Sequence, residues 1–181
     1  MKATAATFLI LVMSATAAFG PQQKVEWIKY DSPEGRYSIL FPGKPEVSKQ
    51  DAPAHSGQTL VEYFATYADP TPATDVAYIS SYFDLAPGMK YSIDIGRDGY
   101  LKSVNATLQS EKPVMLGTYS GREVRATASK AGEDFTMIAR FYIIENRVYL
   151  IQYLFAKPYD ATRAEKECAK FFDSFTLTSA H

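Results

Sequence analysis

The chain has 181 residues, 46% hydrophobic and 22% charged, with 19 Lys and Arg against 20 Asp and Glu for a formal charge of −1. These values describe one globular domain with a sizeable core; they exclude a disordered chain and give no cationic excess to draw nucleic acid or an anionic membrane surface. Cys168 is the only cysteine, so no internal disulfide can form.

Residues 1–18 carry Lys2, an apolar run centred on Phe8 to Met13, and the small residues Ala15, Thr16, Ala17 and Ala18. That order is a secretory signal peptide cleaved after Ala17 or Ala18. An uncleaved anchor is the competing reading, but the apolar centre is short of the ~20 residues that a spanning helix needs. No cysteine stands near the cleavage site for lipid attachment. A soluble periplasmic or secreted protein with a single domain over residues 25–178 is expected.

Gln22 to Tyr30 reads as a first strand or arm anchored by Trp27, and Asp31 to Gly35 as a turn with Pro33 presetting φ. Arg36 to Phe41 alternates Tyr37, Ile39 and Phe41 on one face. Pro42-Gly43 suits a type II turn with Gly43 at positive φ, and Pro45 to Gln50 an edge strand guarded by Lys44, Glu46 and Lys49. Asp51 to Gly57 is a loop by composition. Gln58 to Tyr67 and Asp75 to Asp84 form a hairpin, parted by Asp69-Pro70-Thr71-Pro72. Ile93, Tyr100, Leu101 and Val104 then fall at helical spacing behind Ser92 as N-cap. Gly96 and Gly99 disfavour this helix by about 1 kcal/mol each, and close approach of backbone to sheet would explain them.

Thr107 to Leu116 and Arg122 to Ser129 are strands joined by a turn at Tyr119-Ser120-Gly121, and Ala131-Gly132 leads into the longest apolar stretch, Gly132 to Phe155. This stretch is two strands turning at Glu145-Asn146. Phe141 and Ile143 share a face with Val148, Leu150 and Leu154; Arg140 and Tyr142 share the other with Tyr149, Ile151, Tyr153 and Phe155. A pair apolar on both faces belongs inside a covered sheet, the centre of a four-strand antiparallel meander. Pro158 ends it and Asp160 caps a second helix to about Asp173. Ala164, Cys168, Phe171, Phe172 and Phe175 form the stripe of that helix, with Arg163, Lys166, Glu167 and Lys170 toward water. Its stripe suits the Phe141 and Leu150 face. Phe175 to Thr178 is a short strand returning to the sheet.

The only histidines, His55 and His181, lie in a loop and at the terminus, so neither a metal centre nor a His-activated nucleophile is expected. Gly117 to Gly121 has its serine one place too late for a nucleophile elbow. Gly96 and Gly99 lack the rest of a dinucleotide or phosphate-loop signature. Asp94 and Asp98 place two carboxylates at i, i+4, which a solvated helix face also explains. Arg140, set among Tyr142, Tyr149, Ile151 and Tyr153, is the internal charge that stands out; stacking on tyrosines or pairing with a carboxylate of a neighbouring strand is its structural reading, and an anionic-ligand or partner contact the alternative. Asn105-Ala106-Thr107 is a glycosylation sequon, meaningful only in a eukaryotic secretory pathway.

SPEGRYSILFPGKPE, GRDGYLKSVNATLQSEKPVMLGTYSGREV and the closing FFDSFTL after an Asp-capped helix together resemble the superfamily that includes the photosystem extrinsic protein PsbP and the periplasmic protein DcrB. The resemblance implies an α+β fold, an antiparallel meander-rich sheet sandwiched by two main helices. It also implies accessory or scaffold-type binding rather than catalysis; from the residues themselves no cofactor is expected. The expectation is an exported, non-catalytic module that binds a protein or cell-envelope partner through Arg140, Tyr142, Tyr149 and Tyr153. The alternative is a small-ligand carrier with its pocket between the tyrosine face and the Met89 to Val104 helix.

Overall fold

The computed structural model describes residues 26–53, 59–69, 76–130, 132–156 and 159–178. The leader, His55, Pro70, Pro72, Pro158 and His181 lie outside them. The described chain is α+β and runs β1 (Ile28–Ser32), β2 (Tyr37–Phe41), β3 (Glu46–Pro53), β4 (Thr59–Ala68), β5 (Val76–Asp84), α1 (Ile93–Ser103), β6 (Thr107–Leu116), β7 (Tyr119–Lys130), β8 (Glu133–Ile144), β9 (Arg147–Ala156), α2 (Ala161–Asp173) and β10 (Thr176–Leu177).

Seven strands form one antiparallel sheet in the order β3-β4-β5-β9-β8-β7-β6. The meander from β6 to β9 is present, and β8 and β9 turn tightly at Glu145-Asn146, with Ile144 opposite Arg147. Phe141 pairs with Leu150 and Tyr142 with Tyr149, so the two faces of this hairpin sort as their alternation requires. β3 is an edge strand and extends through Pro53, so Asp51 to Pro53 pair with β4 rather than opening a loop.

The last strand does not return to this sheet. β10 pairs with β2, and β1, β2 and β10 make a separate three-stranded sheet. Tyr37, Ile39 and Phe41 of β2 are buried between the two sheets, together with Ile138, Tyr142, Ile151 and Tyr153 of the large one and Cys168, Phe171, Phe172 and Phe175 at the C-terminal end. The main core is therefore on the tyrosine face.

The two helices sit opposite to the expected arrangement. α2 covers the tyrosine face, burying Ala164, Cys168, Phe171 and Phe172, and α1 covers Val124, Ala139, Phe141 and Leu150 with Ile93, Tyr100 and Leu101. Aromatic volume decides this. The phenylalanines of α2 fill the deep space between the sheets, where Phe171 meets Phe41 at 5.2 Å and Tyr78 at 5.3 Å between ring centroids. α1 has no fully buried residue and lies on the smaller cluster. Both caps form as read, Ser92 accepting from the Ile95 amide and Asp160 from the Arg163 amide.

Turn chemistry differs in three places. Gly43 is not at positive φ; a Cβ there would come within 2.3 Å of the Tyr67 ring, so the missing side chain makes room for a neighbour. The β6–β7 turn is Gly117-Thr118, with Gly117 at φ 59°, and Tyr119 to Gly121 already belong to β7. Gly96 packs under the Tyr91 hydroxyl and Gly99 faces open space, so neither marks a close approach to the sheet.

Candidate functional site

Arg140 projects from β8 onto the tyrosine face, where its Nε donates to Glu123 Oε2 at 2.8 Å and its Nη1 to Asp173 Oδ1 at 3.2 Å. Its guanidinium lies 4.7 Å from the centroid of Phe172. Burial opposes its charge, but Glu123, Tyr142 and Asp173 together leave the Arg140 pKa raised. Lys112 holds the second oxygen of Glu123, so a polar chain runs from β6 through β7 and β8 to α2. Tyr142 stacks on Phe175, Tyr149 donates to the carbonyl of Gly35 at 2.9 Å, and Tyr153 donates to Glu167 at 3.1 Å. All three tyrosines are buried. The structure brings the four residues onto one face and joins each to the interior.

Glu167 is the residue that helix periodicity misplaces. Its Oε2 accepts hydrogen bonds from Tyr78 at 2.8 Å, Tyr153 at 3.1 Å and Tyr159 at 2.8 Å, while Arg163 Nε holds Oε1 at 2.8 Å. Rather than facing water, this carboxylate closes the far end of the tyrosine face. Burial above all, with the nearby carboxylate, pushes the Tyr78 and Tyr153 hydroxyls far above the ordinary phenol range. The alternating stripe Tyr78, Ser80 and Tyr82 on β5 was the available signal, and it faces β9's tyrosines across the ladder.

No pocket forms between the tyrosine face and the Met89 to Val104 helix, because that helix is on the other side of the sheet. A cleft opens instead at the margin of the core, between the small sheet and β3-β4-β5. It holds about 210 Å³ and is lined by Tyr30, Ser32, Glu34, Tyr37, Val47, Tyr63, Phe64 and Tyr82. Tyr63 stacks on Tyr82 with centroids 4.9 Å apart, and the Arg147 guanidinium sits 4.6 Å from the Tyr82 centroid. Arg147 is committed there, making a bidentate pair with Asp84 at 2.6 and 2.7 Å and donating to the Glu34 carbonyl. That pairing holds the Asp84 carboxyl below its usual range. A shallower depression of about 260 Å³ adjoins the cleft through Tyr63 and continues along Val61, Asp84 and Leu85.

On the opposite face, Asp94 pairs with Arg97 and Arg122, Asp98 with Arg97, and both arginines reach Glu111, so the two aspartates stand in an exposed ion network. Ser120 is exposed on β7 and Asn105 is exposed just past α1, at φ 52°. Among the described residues no group of three or more His, Cys, Asp and Glu is placed to hold a metal ion, and no helix is long and apolar enough to cross a membrane.

Glu62, also on this face, is half-buried, and the Ser81 hydroxyl donates to its Oε1 at 2.8 Å. Burial raises the pKa of this carboxyl, so its ionisation opposes folding as pH rises from about 4. Glutamine retains the acceptor without the charge. Glu62→Gln is expected to raise the melting midpoint at pH 7, with the gain vanishing near pH 4; a gain independent of pH in calorimetry would contradict the burial argument.

No protein-family model matches this chain, and no curated protein does. The solution structure of cyanobacterial PsbP from Synechocystis sp. PCC 6803 is similar, with a TM-score of 0.52 at 13% identity over 89% of this chain and 98% of that one. LpqN of Mycobacterium tuberculosis, described as involved in cell envelope biogenesis, aligns with a TM-score of 0.42 at 16% identity over 77% of this chain and 87% of that one. A Pseudomonas aeruginosa protein of unknown function, PA94, aligns with a TM-score of 0.44 at 13% identity over 78% and 90%. A seven-stranded antiparallel sheet with a helix on each face, matching cyanobacterial PsbP along nearly its whole length, gives this chain the PsbP-like fold.

Proposed function

We propose that this protein is an exported accessory module, periplasmic or secreted, that acts by docking on a protein of the cell envelope rather than by catalysis. The observation that carries the reading is a strip of exposed apolar side chains on the edge of the large sheet. Val47, Val61 and Tyr63 are 64%, 37% and 38% exposed and point to one face of β3 and β4. They run directly into the tyrosine cleft. Exposed aromatic and aliphatic groups gathered beside a cleft are what a protein contact uses. The sequence of the leader supports export.

The cleft also bears on the carrier alternative. Its volume of about 210 Å³ is below the range of roughly 300–1,000 Å³ that encloses a whole small ligand, and suits a single side chain. A photo-crosslinking residue placed at Val47 in the native host is expected to yield a discrete adduct with an envelope protein. The same residue at exposed Asp98, on α1 across the sheet, should yield none. No adduct from Val47, or equal adducts from both positions, would reject the reading.

A further inference from the structure

We propose that the tyrosine cleft receives a basic side chain of that docked partner; this rests on the docking reading above. Four tyrosines, Tyr30, Tyr37, Tyr63 and Tyr82, line it, and among the described residues the only charged one in its lining is Glu34. Glu34 is exposed and makes no ion pair among the described residues, while its backbone carbonyl is held by Arg147. In the adjoining depression the charged residue among those described, Asp84, is already paired through both oxygens with Arg147 and adds no free charge. Among the described residues no Lys or Arg is in the lining of either surface. Arg147 approaches the Tyr82 ring, yet both of its outer nitrogens and its Nε are spent on Asp84 and the Glu34 carbonyl.

The chemistry follows from this lining. Aromatic faces present negative quadrupole to a cation; Tyr82 is already met by Tyr63 and Arg147, so the exposed Tyr63 ring and the Glu34 carboxylate at the mouth supply the attraction. Tyr37 and Tyr82 are buried and form the base, while Tyr63 and Val47 remain exposed at the mouth, where the alkyl stem of a lysine or arginine packs. The cleft's volume fits that stem and head group and not a larger ligand. A neutral apolar side chain of equal length would fill the space without using Glu34, so selectivity for charge is the signature.

The test uses the mature chain and two probes, Nα-acetyl-lysine methylamide and its norleucine counterpart, followed by backbone NMR shifts. The lysine probe is expected to shift the resonances of Tyr63, Tyr82 and Glu34 saturably and to bind at least about fivefold more tightly than norleucine. Glu34→Gln should abolish that preference, and Tyr63→Ala should weaken both probes. An arginine probe that binds as tightly as lysine also supports a basic occupant. Equal binding of lysine and norleucine, or shifts located elsewhere, would overturn the proposal. If the Val47 adduct persists in Glu34→Gln and the lysine preference is absent from the wild type, docking stands and the basic occupant falls. If the Val47 adduct is absent from the wild type, it is the docking reading that fails.

Discussion

Replacing Phe171 by alanine is expected to lower the unfolding free energy by about 3–5 kcal/mol, read from denaturant midpoints at unchanged slope. Phe171 is fully buried and contacts both sheets, through Phe41 of β2 and Tyr78 of β5, and it also packs on its neighbour Phe172. Truncation removes a large apolar group from water-free surroundings and leaves a cavity walled by three rigid rings. Rings fixed on two different sheets cannot collapse into that space together, which places the cost in the upper part of the range. A loss below about 1 kcal/mol would show that α2 and the small sheet are not packed as described.

Glu167→Ala is expected to cost about 3 kcal/mol, because three phenol hydroxyls lose one charged acceptor at once. Tyr153 is fully buried and Tyr78 is 3% exposed, so their hydroxyls cannot easily turn to water instead. The Glu167 side chain is only 19% exposed, so solvent screens these bonds little. Glu167→Gln keeps an acceptor oxygen but lacks the charge, and should fall between. In a double-mutant cycle with Tyr78→Phe, the two losses should be markedly less than additive. Full additivity would mean that the Tyr78–Glu167 bond contributes nothing to the folded state.

The strands of the meander, the tight Glu145-Asn146 turn and both helix caps were legible because each rests on a local signal: alternation, a turn pair, a capping side chain. The assignment of helices to faces was not, because both faces of β8 and β9 are apolar and the stripe of α2 would satisfy either. What chose between them was the second sheet, which makes one side deep enough for three phenylalanines. β10 itself is two residues long and carries no sequence pattern of its own. The tyrosine face was legible as a group, since Arg140, Tyr142, Tyr149 and Tyr153 do share it. Their partners were not, because Glu123, Asp173, Gly35 and Glu167 come from β7, the end of α2, a turn and the middle of α2. Glu167 looked solvated since it flanks a strongly apolar stripe among charged neighbours, and only the tyrosines on another element reveal its inward reach. The cleft, assembled from three strands of one sheet and two of another, has no signature in any one segment.

The pairing of β2 with β10 sets an order of events. Ser38 and Thr176 share a hydrogen bond across 138 positions, and the Thr178 amide bonds to the carbonyl of Arg36. Phe41 and Tyr37, near the start of the described chain, meet Tyr30 and β5 early but gain Phe171 and Phe175 only when α2 and the last strand arrive. A nascent chain emerging from a ribosome can pair β4 with β5 or β7 with β8, yet it cannot close its main core until almost every residue has been synthesised. High contact order of this kind slows folding. It also leaves the main core of an incomplete chain open, a condition that would suit threading through a narrow translocation channel.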